Sequence, residues 1–436
     1  MNTEINRSIK PEMLETIFAK LANANQQFSA HYPGDGEAQQ PTHTLYGGAQ
    51  LYKATSTQKI GELALAAFHK YAPDAPSFAK CLDLPGDLAL WQKVYSRVEG
   101  RLKKCAVEDF RIDFEDGYGN RPDAEEDATA AFTAQQYALA LKQDIAPPYM
   151  GIRIKPFNEE LKQRSARTLD IFISTLVKEN NGQIPDNFVV TIPKVLIPEQ
   201  VTAFVSLLDH LEQQLGLEPC SLKIEIMVEN TQALLSQDGV SHLPLIYKAT
   251  RGRCRGAHFG TYDYTASFDI TAAFQTMGHP SCDFALQMMK LAFAGTGVWL
   301  SNGATSVMPI GDEKTVHKAW RLSFNNITHS LEMGFYQGWD LHPAQIPIRY
   351  AASYTFFLLS LEQASIRLKN FIDKAAQATL VGDVFDDAAT GQGLLNFFLR
   401  ALSCGAISEA EITHTGLSLE ELRCKSFVKI VNNRTR

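Results

Sequence analysis

The chain has 436 residues, of which 45% are hydrophobic and 20% are charged, and its formal net charge is −7. This composition is typical of a globular protein, and the acidic balance without a long basic run argues against nucleic acid or an anionic membrane as a partner. No apolar stretch reaches the ~18 residues that a membrane span needs. Seven scattered cysteines, none in CxxC spacing, favour reduced thiols, and we therefore expect a cytoplasmic protein.

The predicted elements begin with an N-terminal helical segment and link over residues 1–40. Apolar residues between Met13 and Ala22 recur at three- and four-residue spacings after Pro11, a pattern typical of an amphipathic helix. A polar, Gly- and Gln-rich link follows from Pro33 to Gln40. Strand and helix patterns alternate after this link.

Eight predicted strands lie within residues 41–350, and helical sequence follows each of them. They begin near His43, Val107, Tyr149, Phe188, Leu222, Gly256, Gly297 and Phe335. Alternating strands and helices imply right-handed βαβ units, and eight of them imply a closed barrel. The sequence therefore predicts an α/β fold, a (β/α)8 TIM barrel. An open doubly wound sheet stays an alternative, although Gly47-Gly48 lacks the third glycine of a phosphate-binding turn.

Beyond the last predicted strand the pattern is helical only, which predicts a C-terminal helical extension over 351–436. One long amphipathic stretch covers 351–379, an acidic turn after Gly382 interrupts it, and another helix follows near 390–402. The apolar faces of these helices need a partner, which is either the barrel or a second subunit. We expect a homo-oligomer on this ground.

The strand in VEDFRIDFEDGYG, residues 107–119, is unusually acidic. Five acids stand between positions 108 and 116, although strands are normally depleted in Asp and Glu. The strand ends in Glu115-Asp116-Gly117, and ligands bind at the C-terminal ends of parallel strands in α/β barrels. We therefore predict that Glu115 and Asp116 lie in a functional site; a solvated strand-to-loop junction is the alternative.

Polar side chains also follow the other predicted strands. They are His43 to Tyr46, Arg153, Lys194, Glu229, Asp263, Ser301, Asn302, Asp340 and His342. Carboxylates dominate, and the chain has neither a cysteine ligand at these positions nor an HExxH motif. Oxygen ligands select a hard cation, Mg²⁺ or Mn²⁺, over zinc. Glu229 and Asp263 follow consecutive strands and are the candidate metal ligands.

Arg153 and Lys194 are the candidate cations of the site. Arg153 interrupts an apolar strand, where a buried charge is costly unless it is paired. It either holds a carboxylate or oxyanion of the substrate or pairs with Glu115 or Asp116, and the two interpretations are compatible. Lys194 is either a Schiff-base lysine or a protonated, ion-paired one. Both are candidate substrate contacts.

Two histidines and an arginine run leave alternatives open. His43 and His342 contact substrate or are structural. The candidate general bases are His43, a metal-bound water and a residue from the helical tail of a neighbouring subunit. Arg251, Arg253 and Arg255 either grip a phosphate or form a solvated run before a strand.

Six motifs in their order along the chain resemble the citrate lyase β-subunit and malyl-CoA lyase family, within the HpcH/HpaI aldolase superfamily. The motifs are DFEDG (113–117), GIRI (151–154), IPKV (192–195), IMVENT (226–231), HFGTYDYTAS (258–267) and GWDLHPAQI (338–346). The resemblance covers about residues 42–350 and is strongest to an uncharacterised, aldolase-like branch. It implies a TIM barrel of the phosphoenolpyruvate/pyruvate type and a Mg²⁺-dependent carbon–carbon lyase.

The resemblance also implies roles for individual residues. Glu229 and Asp263 match the metal-ligating carboxylates, Glu115 and Asp116 the acids that hold metal-bound waters, and Arg153 the arginine that contacts the substrate carboxylate and the developing enolate. The first-strand arginine of the CoA-dependent lyases is not evident, since Thr42-His43-Thr44 stands in its place. A CoA ester therefore stays open as a cofactor beside Mg²⁺ or Mn²⁺.

The expected function is aldol or Claisen-type cleavage, or its reverse, acting on a small 2-oxo acid or hydroxyacyl-type substrate. A non-catalytic protein that binds a metal and a 2-oxo acid would carry the same acids and arginine. Phosphoryl transfer on phosphoenolpyruvate is a third alternative, since the same barrel supports it.

Overall fold

Eight parallel strands close into a barrel in this computed structural model, which describes residues 8–36, 38–373, 379–381, 384–386 and 388–434. Each strand pairs with the next along the chain, and the eighth pairs with the first. The strands are β1 (His43–Gly48), β2 (Asp109–Asp113), β3 (Tyr149–Arg153), β4 (Phe188–Ile192), β5 (Lys223–Val228), β6 (Cys254–Phe259), β7 (Trp299–Ala304) and β8 (Gln337–Asp340). The predicted TIM barrel is confirmed.

The helices of the barrel follow its strands and cover them. Those before and between the strands are α1 (Pro11–His31), α2 (Ser56–Tyr71), α3 (Ala75–Leu82), α4 (Leu88–Cys105), α5 (Asp123–Lys142), α6 (Lys162–Glu179), α7 (Pro198–Leu215), α8 (Thr231–Leu234), α9 (Leu243–Ala249), α10 (Thr261–Ser267), α11 (Pro280–Phe293) and α12 (Glu313–Glu332). Asp87 and Asp312 cap α4 and α12 by accepting hydrogen bonds from backbone amides three residues later, which explains where these helices begin.

Strand composition reflects burial on both faces. All five residues of β4, FVVTI, are buried, as expected for a parallel strand between helices and a filled barrel interior. Strand β2 differs because Asp109, Arg111 and Asp113 alternate with Phe110 and Ile112, and all five are buried. The alternation turns the three charged residues to the same face of the strand.

Charged residues inside the barrel form an interior ion network. Its members are Asp109, Arg111, Glu225 and His258. Arg111 pairs with Asp109 and lies 2.7 Å from Glu225, and His258 lies 3.2 Å from the same carboxylate. Each of these side chains is at most 2% exposed. Burying charge of this kind is tolerable because each member is paired.

The C-terminal part of the chain continues from the barrel in one helix. This part contains α13 (Ile346–Asp373), β9 (Thr379–Val381), β10 (Val384–Asp386), α14 (Ala388–Ser403), α15 (Glu409–Ile412), α16 (Leu419–Arg423) and α17 (Phe427–Arg434). Helix α13 crosses the predicted boundary at residue 350. The prediction of helices only is wrong, because β9 and β10 pair as an antiparallel two-stranded sheet. The predicted interruption at Gly382 lies outside the described residues.

The apolar face of α14 has its partner within the chain. Leu394, Leu395 and Phe398 are buried in the same hydrophobic cluster as Leu368 and Phe371 of α13. The observation behind the predicted homo-oligomer is thereby accounted for, and the oligomer stays a prediction.

Exposed apolar side chains lie instead on α1, which has no buried residue. Met13, Ile17, Phe18 and Leu21 are each more than half exposed. Within the described part of the chain, no helix combines the length and apolar character needed to cross a membrane.

Candidate active site

Six of the predicted site residues meet at the C-terminal end of the barrel. We call them the strand-tip cluster: Glu115, Asp116, Arg153, Lys194, Glu229 and Asp263. They follow or end strands β2 to β6. Since these strands are consecutive and parallel, their ends lie on the same rim. Residues as far apart in sequence as Glu115 and Lys194, 79 positions, therefore come into contact.

Arg153 is held chiefly by Asp113. Its Nε and Nη2 donate to the two carboxylate oxygens of Asp113, at 2.7 and 2.5 Å. The remaining Nη1 lies 3.1 Å from Glu115 and 3.8 Å from Asp116. Glu115 and Asp116 are the predicted pairing partners of Arg153. Both lie near it, but the bidentate pair is with Asp113.

Asp113 is fixed in turn by the turn that follows β2. The backbone amides of Glu115 and Gly117 donate to its carboxylate at 3.0 and 2.7 Å. A Cβ atom at position 117 would lie 2.7 Å from the Asp113 Oδ2, so this close approach requires glycine. The turn therefore sets the orientation of Arg153 through Asp113.

Tyr46 on β1, one of the predicted strand-end residues, contributes a further side chain to which the sequence assigned no role. The Arg153 guanidinium lies over its ring, 4.9 Å from the centroid. The Tyr46 hydroxyl is buried without a hydrogen-bonding partner among the described residues, and burial raises its pKa. Counting alternate positions along β1 and β2 would have placed Tyr46 and Asp113 on inward faces.

Lys194 lies among the carboxylates. Its ammonium pairs with Glu115 and lies 3.3 Å from Asp116 and 3.5 Å from Asp263. Burial favours the neutral form, but Glu115, Glu229 and Asp116 together raise the pKa of Lys194. A protonated lysine agrees with the ion-paired alternative and is a poor Schiff-base nucleophile.

Glu229 is the most buried acid of the cluster, at 2% exposure. One oxygen accepts a hydrogen bond from the Lys194 backbone amide at 2.6 Å. Gly260 packs against it, since a Cβ at position 260 would lie 2.5 Å from its side chain. Burial, and then the nearby Asp263 carboxylate, raise the pKa of Glu229 to about 8.

The donor chemistry of the cluster fits a hard divalent cation. Glu229 and Asp263 are close enough for their charges to repel. The buried Oε2 atom of Glu115 lies 3.1 Å from Arg153 Nη1 but accepts no hydrogen bond in the described structure. Within the residues that the structure describes, no three His, Cys, Asp or Glu side chains converge to enclose a metal ion. Mg²⁺ usually takes one or two protein carboxylates and keeps several waters, so two carboxylates suffice.

His43 lies away from this cluster. It is the first residue of β1, at the opposite end of the barrel, and is fully buried. Its Nδ1 lies 3.1 Å from Asp340, and its Nε2 accepts from the Glu108 amide at 3.2 Å. Both ring nitrogens are engaged with protein, which agrees with the structural alternative.

His342 follows β8 at the same end of the barrel as the cluster. Its Nδ1 accepts from the Ala344 amide at 3.1 Å, so it caps the short turn Pro343–Gln345. Burial lowers the pKa of this half-buried imidazole. Its role as a substrate contact stays a prediction.

The three arginines from Arg251 to Arg255, at the start of β6, all contact protein groups. Arg253 is buried against Glu212 and Asp209, and Arg251 pairs with Asp209. Arg255 donates to the Asp186 carbonyl at 2.7 Å. These contacts do not favour a phosphate grip, and the alternative of a solvated run is wrong for Arg253, which is 1% exposed.

A family model described as a domain of unknown function, DUF6986, matches residues 21–430. The chain belongs to the DUF6986 family. No match was found among the curated proteins.

Solved structures place the DUF6986 chain in a known fold. A citrate lyase from Burkholderia xenovorans LB400 is 17% identical with a TM-score of 0.58, covering 87% of this chain and 97% of that one. CitE from Mycobacterium tuberculosis, in complex with magnesium, acetoacetate and coenzyme A, is 14% identical with a TM-score of 0.52, covering 84% and 99%. The predicted resemblance to citrate lyase β-subunit-like proteins is confirmed at the level of the fold.

Proposed function

We propose that this protein is a Mg²⁺- or Mn²⁺-dependent carbon–carbon lyase that acts on a small 2-oxo acid or a related hydroxyacyl substrate. The observation that carries the proposal is the strand-tip cluster: two metal-type carboxylates face an arginine and a second acid pair on the rim of a citrate lyase-like barrel. When bound, the divalent cation supplies Lewis-acid polarisation of the substrate carbonyl.

The protein's own residues have separable tasks in this proposal. Glu229 and Asp263 hold the cation, and Glu115 and Asp116 hold the waters around it. Arg153 offers its Nη1 nitrogen to the substrate, since Nε and Nη2 are hydrogen-bonded to Asp113. It aims positive charge at the carbonyl oxygen on which negative charge develops as the carbon–carbon bond breaks. Tyr46 and Asp113 hold the guanidinium group of Arg153 in this orientation.

A non-catalytic binder of the same ligands is the second candidate. It is favoured by one observation: of the histidines proposed as bases or substrate contacts, His43 is buried elsewhere and His342 caps a turn. A general base supplied by a protein side chain is therefore unassigned, whereas a binder needs none.

Proton NMR of pyruvate in D₂O tests the proposal. With protein and Mg²⁺ or Mn²⁺, we expect loss of the methyl proton signal, because an enolate formed at the site takes up deuterium. Glu229→Ala and a chelator are the controls, and both should abolish the exchange. Metal binding without exchange of any 2-oxo acid offered would favour the binder.

A further inference from the structure

One residue contacts all four carboxylates of the strand-tip cluster. The Lys194 backbone amide donates to Glu229, and its ammonium reaches Glu115, Asp116 and Asp263. Acids from the loops after β2, β5 and β6 are thus joined by one residue of the loop after β4. No functional role for this arrangement follows from the fold alone.

The backbone of Lys194 is held in an unusual conformation to make these contacts. Its φ angle is +51°, in the left-handed region that side chains other than glycine seldom adopt. A conformation of this kind persists only where surrounding contacts hold it. Here it directs the amide and the side chain of one residue into the same group of acids.

The two cations of the cluster differ in how firmly they are held. Arg153 is 7% exposed and is bound by two prongs to Asp113. The Lys194 side chain is 28% exposed, and its ammonium stands at the end of a flexible four-carbon chain. It lies 3.3 Å from Asp116 and 3.5 Å from Asp263. An ammonium is a compact point charge that can rotate away, whereas a paired guanidinium fork is fixed.

We propose that the Lys194 ammonium is an exchangeable cation, which neutralises the carboxylates when metal is absent and leaves them when the divalent cation binds. The ammonium lies 3.5 Å from the Asp263 carboxylate, one of the two proposed metal ligands. A divalent cation at this carboxylate repels the ammonium, so metal entry displaces the ammonium toward solvent. This inference rests on the proposed function only in placing the divalent cation at Glu229 and Asp263.

Direct Mn²⁺ titration, followed by calorimetry and by the EPR signal of free Mn²⁺, tests the exchange in the full-length protein. We expect Lys194→Met to bind Mn²⁺ about tenfold more tightly than wild type, because a competing charge has been removed. Lys194→Gly should show the same gain. Glycine keeps the backbone amide that donates to Glu229 and readily adopts the left-handed conformation. This variant therefore removes the ammonium without disturbing the backbone.

Thermal unfolding supplies a second readout that does not depend on activity. In EDTA, Lys194→Met should melt below wild type because the acids have lost their internal cation, and saturating Mn²⁺ should remove that difference. Lys162→Met is the matched control, since Lys162 pairs with Glu159 on the surface; it should change neither measurement. The combination of weaker metal-free stability and tighter metal binding is the signature of exchange.

The outcomes separate this inference from the proposed reaction. Equal or weaker Mn²⁺ binding by both Lys194 variants would overturn the exchange while leaving the lyase proposal intact. Tighter Mn²⁺ binding by the variants, without deuterium uptake by pyruvate, would support the displacement of the Lys194 ammonium and count against the proposed lyase reaction. Absence of Mn²⁺ binding in wild type, or binding unaffected by Glu229→Ala, would overturn both.

Discussion

The interior ion network and the strand-tip cluster are built on the same strands but differ in how completely their charges are paired. In the network, Arg111 and Glu225 are almost fully buried and meet at 2.7 Å. In the cluster, the Asp116 and Asp263 side chains are 61% and 40% exposed, and their cation contacts are 3.3 Å or longer. Along β2, Arg111 belongs to the interior ion network, and Asp113, two residues later, holds Arg153 of the strand-tip cluster.

This difference in pairing suits the interior ion network to stability and the strand-tip cluster to ligand binding. A buried, fully paired network resists change because removing either partner leaves an uncompensated charge. A half-exposed cluster with spare carboxylate oxygens can exchange its partners for a ligand at smaller cost. We therefore expect variants of the network to lose stability first and variants of the cluster to lose binding or turnover first.

Replacing Arg111 should have the largest effect on folding. Arg111→Met leaves Asp109 and Glu225 without their guanidinium, and we expect the free energy of unfolding to fall by about 3–5 kcal/mol. Urea denaturation measures it. Arg251→Met is the control, because Arg251 is 55% exposed and pairs with Asp209 at the surface; it should cost no more than about 1 kcal/mol. A similar loss in both variants would contradict the comparison.

Replacing Arg153 should reduce turnover much more than stability. Arg153→Ala removes the charge aimed at the reacting oxygen, and we expect turnover in the NMR exchange assay to fall by about 100-fold or more. The fold should survive, because Asp113 keeps two backbone amide donors. Circular dichroism and a urea titration check this. Arg153→Lys retains charge without the fork, so it separates the two contributions. Turnover within tenfold of wild type would refute the assigned role.

Acid should weaken the buried ion pairs around Asp340, the last residue of β8. Burial opposes ionisation of Asp340, but Arg349 and then His43 hold its pKa at about 2, below the ordinary 3.8. A carboxyl whose pKa is lowered by folding stabilises the protein above pH 3.8 and loses that contribution as the pH falls toward 2. The shift corresponds to about 2 kcal/mol.

The experiment compares wild type with Asp340→Asn. The stability difference measured at pH 6 should shrink as the pH approaches 2, because protonated aspartate no longer pairs with Arg349. A difference that stays constant over this range would mean that ionisation of Asp340 is not the source.

The smallest expected effect comes from the packing around Glu229. Gly260→Ala places a methyl group against the Glu229 side chain, and we expect Mn²⁺ affinity to fall by about tenfold because the carboxylate is displaced. Gly100→Ala is the matched control, since position 100 lies in α4 with open space around it. It should leave Mn²⁺ affinity unchanged and stabilise the protein by about 0.5–1 kcal/mol. Equal Mn²⁺ affinity in both variants would show that Gly260 does not position Glu229.

By itself, the sequence determined the order of the elements and the ends of the strands. The apolar runs and helical spacings between His43 and Asp340 predict eight strand–helix units, and each predicted strand begins within two residues of its start in the structure. This succeeds because hydrophobic periodicity and turn residues are local properties. The positions of Glu115, Glu229 and Asp263 just beyond strand ends followed from the same information.

Only the tertiary structure decided which charges meet. Register across β2 and β3 sets Asp113 opposite Arg153, barrel closure sets Asp340 of β8 within reach of His43 of β1, and the loop after β4 brings Lys194 among acids from three other loops. Likewise, the apolar face of α14 found its partner in α13. Partner choice depends on distances between segments remote in sequence, and those distances are set by closing the barrel rather than by any local pattern.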